Sequence, residues 1–390
     1  MRILFVSPYP PARDGIGTYT ETLGGALRAA GHEVAVVAAR AEPGAPPEVL
    51  GALGPGGAGP ALRAAVAEFK PDVVHAQFAV PAFGTRTPAL ARWLGELARA
   101  PVPVVTTLHE ASRDTALLRG PGRALYRRIA AHSDRLVVHT RGALETVTGP
   151  LGVPAGRVQV IPHFSTPPPA AATTAAELRD RFGLGADRLL LAFGFVHVDK
   201  GLDDLVRALS VLRRDDPAVP AGLRVVVAGT VRPRSGPFKY FELRDRAHLA
   251  RVRRLAARGG VADRLAFTGF VPDGDIAAWF EAAEAVVLPY RKAEQSGVAN
   301  LARAYGVPVI ATTAGGLAEL FAGSPWTAPP RSPAELAAVI RRFLAKKGDI
   351  SAYSWSVDDQ GTGLDEVAAA TADVYRAVHR HDQERTPDDH

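Results

Sequence analysis

Apolar residues along this chain come in short blocks. Between the blocks lie segments with an apolar stripe at helical spacing. Arg2 to Ser7 (RILFVS) is the first block and runs into the turn former PYPP. Its length and β-branched content predict a buried strand. Tyr19, Leu23, Leu27 and Ala30 then recur at helical spacing, Gly31 closes that helix, and EVAVVAA reads as the next strand. The alternation continues through DVVHAQ, PVVTTLH, RLVVHT and VQVIPH, with helical stretches between them. Residues 164–175 (FSTPPPAAATTA) have no periodicity and are expected to link two domains. A second series follows: RLLLAFGF, a helix over 202–212, LRVVVAGT, a long basic helix near 243–258, RLAFTGF, a helix ending near Glu281, AVVLPY and GVPVIAT. Repeated βα units imply an α/β fold with parallel sheets covered on both faces. The expected domains are 1–168 and 169–352, followed by a C-terminal helix (353–380) that returns to the first domain and a polar tail (381–390). Residues 41–60, rich in Gly and Pro, read as a mobile loop.

Three strand–turn–helix junctions have the makings of anion sites, because the first N–H groups of a helix lack intrahelical partners and carry the positive dipole end. The first is Gly15, Ile16 and Gly17, after the opening strand. The second is GFVHVDKG (194–201), where Lys200 stands just before a helix and His197 lies in the same turn. The third is the stretch Tyr290 to Thr312, in which Glu294, Gln295, Ser296, Gly297 and Val298 connect AVVLPY to a helix. In open parallel sheets ligands sit at the carboxyl ends of strands, so two such halves are expected to form a cleft.

Composition narrows the chemistry. The 390 residues are 47% hydrophobic and 22% charged, an ordinary globular balance, and contain no cysteine. That excludes disulfides, a thiolate nucleophile and a Cys-based metal centre. The start MRILFV runs straight into a strand, and no apolar run approaches the roughly 20 residues that span a bilayer. The expected location is therefore cytoplasmic. Net charge is +6; residues 1–170 hold 17 Lys+Arg against 12 Asp+Glu, leaving 29 against 28 for the rest. The densest basic run, 119–135, reads as a solvated helix face, as an acceptor-side patch or as a peripheral contact with an anionic membrane on its inner face. It carries no nucleic-acid motif. His75, His109, His139 and His163 stand at or near strand ends but come from separate strands without metal-ligand spacing, so no metal is expected. The G-x-G at 15–17 lacks the full dinucleotide fingerprint, and Arg40 stands where an acidic residue would end the second strand, which argues against a dehydrogenase.

Taken in order, DGIGTY, TTLHE, the strand ending IPH, GFVHVDKG, FTGFVPD, LPYRKAEQSGV, GVPVIATTAGGLAEL and a late SW resemble glycosyltransferase family four, the retaining GT-B enzymes, from Met1 to about His379. The resemblance implies two Rossmann-like domains, an N-terminal one for the acceptor and a C-terminal one for a nucleoside-diphosphate sugar. It implies that Gly15, Ile16 and Gly17 face the donor diphosphate and acceptor. His109 would contact the donor sugar near the reacting carbon, and Lys200 would bind the phosphates. Phe270 and Val271 would hold the nucleobase, and Gln295, Ser296, Gly297 and Val298 would offer N–H groups to diphosphate and sugar. Glu294 matches the first of the family's paired glutamates, one residue out of register. The second, a ribose ligand, is missing, and Asn300 is the nearest polar group. Phe195 stands where the family usually has Arg, with His197 a partial substitute.

The expected activity is metal-independent, retaining hexosyl transfer from a UDP-sugar to a hydroxyl of a small molecule, glycolipid or polysaccharide precursor. The nucleotide sugar serves as co-substrate, and no cofactor is implied. The alternatives are a GT-B epimerase or hydrolase and a catalytically weak nucleotide-sugar-binding partner.

Overall fold

The computed structural model describes residues 1–12, 14–54, 59–97, 102–164, 172–234, 239–293, 296–346 and 362–383. The chain divides into two compact units, Met1–Phe164 with Thr362–His390, and Ser165–Gly361.

In the first unit seven parallel strands are β1 (Arg2–Ser7), β2 (Glu33–Ala38), β3 (Val49–Ala52), β4 (Val73–Phe78), β5 (Val104–Leu108), β6 (Arg135–Val138) and β7 (Val158–Val160), in the order β3-β2-β1-β4-β5-β6-β7. All six residues of β4 are buried. That is why its pattern is a continuous apolar run rather than an alternation. Alternate residues of β1 feed two cores. Leu4 and Val6 join one with Trp93, Leu94 and Tyr126, while Ile3 and Phe5 join another with Leu23, Leu27, Val367 and Tyr375. The second of these cores is completed by the helix Leu364–Gln383, which lies against the helix Gly15–Ala29. The chain therefore returns to the first sheet at its end.

In the second unit six parallel strands are β8 (Arg188–Phe193), β9 (Leu223–Ala228), β10 (Leu265–Phe267), β11 (Ala285–Leu288), β12 (Val309–Thr312) and β13 (Thr327–Ala328), in the order β10-β9-β8-β11-β12-β13. Leu190 faces one core with Leu205, Leu209 and Ile340; Leu189 and Leu191 face the other with Trp279 and Phe280. Each sheet reverses its winding beside its first strand, at β1/β4 and at β8/β11. This is the switch point at which α/β sheets open a crevice.

The expectation of an α/β fold with two parallel-sheet domains holds, with two local corrections. Residues 41–60 are not wholly loop, because Val49–Ala52 adds edge strand β3 to β2. Its residues are exposed or half-buried, so hydrophobic patterning gives it little signal. The far end of the expected linker is structured: the Ala172 N–H donates to the Gly274 carbonyl at 2.8 Å, and Thr174 with Glu177 forms a capping box for the helix Ala175–Arg181. The described terminal helix runs over Leu364–Gln383; residues 347–361, with the SW motif among them, lie outside the described residues, as do 165–171.

Candidate active site

The second unit carries a pocket at its switch point. Gly194, Phe195, Val196, Lys200, Pro289 and Tyr290 line a small, open pocket at the carboxyl ends of β8 and β11. Glycines bring these ends together. Gly201 has φ +64°, and a Cβ there would stand 1.9 Å from the Pro289 carbonyl oxygen. A Cβ on Gly229 would meet the Gly194 carbonyl oxygen at 1.9 Å. Only glycine permits such approaches.

Lys200 ends a short 3-10 turn, Val198–Lys200, capped by His197, whose Nδ1 accepts from the Asp199 N–H at 3.1 Å. The Lys200 ammonium donates to the Tyr290 hydroxyl and lies 3.7 Å from the centre of the Tyr290 ring. Tyr290 therefore positions the cation by hydrogen bond and by cation–π attraction. The next residue, Arg291, reaches back to the following helix. Its Nε is 2.7 Å from Asp204 Oδ2 and its Nη2 is 2.8 Å from Asp203 Oδ1. These carboxylates lie in the first turn of the helix Leu202–Asp215, and both are buried. The hydrogen bond to Asp204, then that to Asp203 and the charge of both carboxylates, raise the pKa of Arg291, and the Asp203 carboxyl is held below its usual range despite burial.

The third junction meets the same pocket from one side. Val298 lies against Gly194, 3.5 Å from where a Cβ on that glycine would stand. Ser296 caps the helix Gly297–Ala304, its Oγ accepting from the Ala299 N–H at 3.2 Å, while Gly297 is exposed. Glu294 and Gln295 lie outside the described residues. Asn300 is buried on that helix. Phe270 and Val271 follow β10 at the edge of the sheet and do not line the pocket; Phe270 is 45% exposed, whereas Val271 is buried in the core.

The first unit gathers His109, His139 and His163 just beyond the carboxyl ends of β5, β6 and β7, with His75 midway along β4. His139 Nδ1 donates to the Ile161 carbonyl at 2.9 Å, and its Nε2 is 3.2 Å from His109 Nδ1. His109 Nε2 is 2.7 Å from the Gln77 amide, which also lies 3.5 Å from His75 Nε2. His75 Nδ1 is hydrogen-bonded to the Tyr375 hydroxyl at 2.6 Å, and its Nε2 is 2.8 Å from Thr107 Oγ1. Tyr19 stands edge-on to His109 and His139, tilted over His163 and stacked on Phe164. Burial pushes the imidazole pKa of His75 down to about 3 and of His139 to about 4, and pushes His109 well below its ordinary value. These rings are neutral at physiological pH. Both nitrogens of His109 are committed to protein groups, and the ring is buried. Among the described residues no three His, Cys, Asp or Glu side chains converge in a metal-holding arrangement.

At the first junction, Asp14 caps the helix Gly15–Ala29. Its carboxylate accepts from the Ile16 N–H at 2.9 Å and the Gly17 N–H at 3.4 Å. Those two donors are thus already used within the protein. Gly17 packs closely on the chain itself, since a Cβ there would lie 3.3 Å from the Pro8 carbonyl; Gly15 is exposed. Tyr290, Gln77 and Tyr375 escape sequence reading because their contacts join distant segments. Tyr290 had one usable signal, its place at a strand end beside a turn.

Comparison with known proteins agrees with this architecture. Residues 13–164 match the family model described as Glycosyltransferase Family 4, and residues 187–346 match Glycosyl transferases group 1. The chain is 31% identical over 323 residues to a D-inositol 3-phosphate glycosyltransferase of Xylanimonas cellulosilytica, covering 78% of this chain and 71% of that one. The chain belongs to glycosyltransferase family 4. A Streptomyces avermitilis protein of the same name is 32% identical over 263 residues, and there the match spans only 53% of the relative's length. Among solved structures, this family 4 glycosyltransferase resembles Anabaena HepE in complex with UDP and glucose (TM-score 0.75, 17% identity, 97% of this chain and 100% of that one). It also resembles the sucrose-phosphate synthase of Thermosynechococcus elongatus (TM-score 0.72, 20% identity, 98% and 100%). These likenesses establish the GT-B fold. No described helix is long and apolar enough to cross a membrane.

Proposed function

We propose that this glycosyltransferase moves a hexosyl group from a UDP-sugar to an acceptor hydroxyl with retention of anomeric configuration and without a metal ion. The observation that carries the reading is the pocket at the β8/β11 switch point, with the Lys200 ammonium positioned by Tyr290. In the transfer the bond between the anomeric carbon and the β-phosphate oxygen breaks. The acceptor oxygen bonds to that carbon on the same face, and its proton passes to the departing phosphate. Charge accumulates on the diphosphate, and a fixed cation with backbone N–H groups stabilises it. Lys200 takes that role, with Gly297 and Val298 as backbone donors. His109 and Glu294 serve as donor-sugar contacts, Phe270 and Val271 as nucleobase contacts and Asn300 as a ribose contact. The structural neighbour crystallised with UDP and glucose supports the choice of donor.

For the acceptor, the relatives named D-inositol 3-phosphate glycosyltransferase make a cyclitol phosphate the first to test. The positive balance of residues 1–170 suits an anionic acceptor. The basic run 119–135 follows exposed Leu117 and Leu118, a composition suited to resting on an anionic membrane surface.

The test incubates the protein with UDP-, GDP-, ADP- and TDP-hexoses and a panel of hydroxyl acceptors, inositol 3-phosphate among them. Nucleoside diphosphate release and the anomeric coupling of the product are read together. Acceptor-dependent UDP release with retained configuration is expected; inverted product overturns the mechanism. A second reading, a nucleotide-sugar-binding protein with weak turnover, is favoured by the commitment of both His109 nitrogens within the protein. Binding without donor consumption would establish it.

A further inference from the structure

The helix Lys239–Arg258 of the second unit has one face committed and one face open. Asp245, His248, Val252 and Ala256 recur at helical spacing and are buried. Val252 and Ala256 share a core with Leu205, Leu209 and Leu212 of the helix Leu202–Asp215. On the opposite face Tyr240, Leu243, Ala247 and Ala250 form an exposed apolar stripe along the N-terminal half. Tyr240 and Leu243 are 67% and 59% exposed, more than any other large hydrophobic among the described residues. Exposed Arg246 and Arg253 flank the stripe on one side and Arg251 on the other, and Arg254 closes it. The two acids of this helix, Glu242 and Asp245, lie on the buried face. The open face therefore presents cations alone. The helix holds seven Lys+Arg against two Asp+Glu, whereas the rest of residues 171–390 holds 22 against 26. Positive charge is thus concentrated on one helix of an otherwise acidic stretch.

We propose that the open face of the helix Lys239–Arg258 docks on an anionic lipid surface. An apolar stripe bordered by arginines is the pattern of a helix lying in a membrane interface. Tyr240 and Leu243 enter the boundary between headgroups and acyl chains, where the Tyr240 ring is in an apolar layer and its hydroxyl stays wet. The arginine stems lie along the stripe while their guanidinium groups meet lipid phosphates. A nucleic-acid duplex would use the charge but leave Tyr240 and Leu243 in water. This face belongs to the second unit, whereas the basic run 119–135 belongs to the first.

Vesicle flotation of the full chain tests this without donor or acceptor, so failure of the transferase reading leaves the result intact. The probes are vesicles of phosphatidylcholine alone, vesicles with about one third phosphatidylglycerol, and duplex DNA. The variants are Tyr240→Gln/Leu243→Gln, Arg251→Gln/Arg254→Gln and, on the first unit, Leu117→Gln/Leu118→Gln. Each is checked for an unchanged melting temperature, as expected for substitutions on an open face. The parent protein is expected to float with the anionic vesicles and not with phosphatidylcholine alone, and added salt should weaken the binding. Each of the first two variants should weaken it by at least ~10-fold, the scale of two buried apolar side chains or of two interfacial cations. Absence of vesicle binding by the parent overturns the inference, as does parent-like binding by both of those variants. A loss confined to Leu117→Gln/Leu118→Gln assigns the contact to the first unit and overturns it too. A loss in the arginine variant alone, with duplex DNA bound as tightly as vesicles, marks a general polyanion surface and equally overturns it.

Discussion

His139 Nε2 stands 3.2 Å from His109 Nδ1, and this contact decides where the proton of His109 resides. His139 donates from Nδ1 to the Ile161 carbonyl, so its neutral ring can only accept at Nε2. His109 must then be protonated at Nδ1 and bear its lone pair at Nε2. That lone pair faces the Gln77 amide, whose Oε1 stands 2.7 Å away and whose Nε2 points to His75; neutral rings require the reverse amide assignment, with NH2 towards His109 and the oxygen towards His75. The tautomer follows from the hydrogen bonds the ring makes, as it does for histidines generally.

Gln77→Glu tests this proton count. A carboxylate beside His109 Nε2 favours the imidazolium, so the pKa of His109 should rise by at least ~1 unit. Imidazole nitrogen NMR should show the Nδ1–H tautomer in the parent protein and a doubly protonated His109 in the variant at mildly acidic pH. An Nε2–H tautomer in the parent would contradict the assignment.

The same network makes the first unit acid-sensitive. The folded pKa values of His75 and His139 are about 3 and 4, and that of His109 is also lowered, whereas an unfolded histidine titrates near 6.5. Between those values the unfolded chain binds more protons than the folded one. Stability is therefore fully present above about pH 6.5 and falls as pH drops towards the folded values. The expected slope is on the order of 1 kcal/mol per histidine per pH unit. Urea melts at pH 7 and pH 5 measure it, and replacing His75 with Gln should flatten the dependence.

Lys200→Ala should slow sugar transfer at least ~100-fold, the scale of one lost oxyanion-type donor. Tyr290→Phe should give a smaller loss, since it keeps the aromatic face under the ammonium and removes only the hydroxyl. Near-parent turnover by Lys200→Ala, with a verified donor, would remove Lys200 from the site. His109→Ala is expected to show a comparable loss together with a lower melting temperature, because it breaks the buried network.

Gly201→Ala would place a methyl group 1.9 Å from the Pro289 carbonyl oxygen in a left-handed conformation. The conformation alone costs about 1–2 kcal/mol, and relieving the clash moves Lys200 away from Tyr290. Nucleotide affinity and turnover should both fall, with a loss of stability visible in denaturant melts.

Arg291→Ala would leave the buried carboxylates of Asp203 and Asp204 with less counter-charge, Arg207 Nη1 remaining at 3.1 and 2.9 Å. Breaking such a buried pair costs about 3–5 kcal/mol. Adding Asp203→Asn to that variant should restore part of the stability, measured as a double-mutant cycle.

Much of this molecule is local in origin and so is legible in one dimension. Strands buried on both faces read as apolar runs, amphipathic helices as stripes, and glycine turns mark where chain segments meet; RILFVS, VVHAQF and VDKG each carry that information alone. Lys200 just ahead of a helix at a strand end was visible for the same reason. Edge strand β3 was not, because an exposed edge has no apolar pattern to display. Contacts between distant residues were not legible either. His109 meets Gln77 and His139 only because parallel strands β4, β5 and β6 lie side by side with aligned ends. Tyr375 reaches His75 across 300 residues, and Arg232 reaches Phe195 only through the register of β8 and β9. Sequence by itself determined which segments become strands, turns and helices, since propensity and periodicity act over a few residues. Tertiary structure decided which side chains share a proton or a charge, since those interactions act over a few ångströms of space irrespective of distance along the chain.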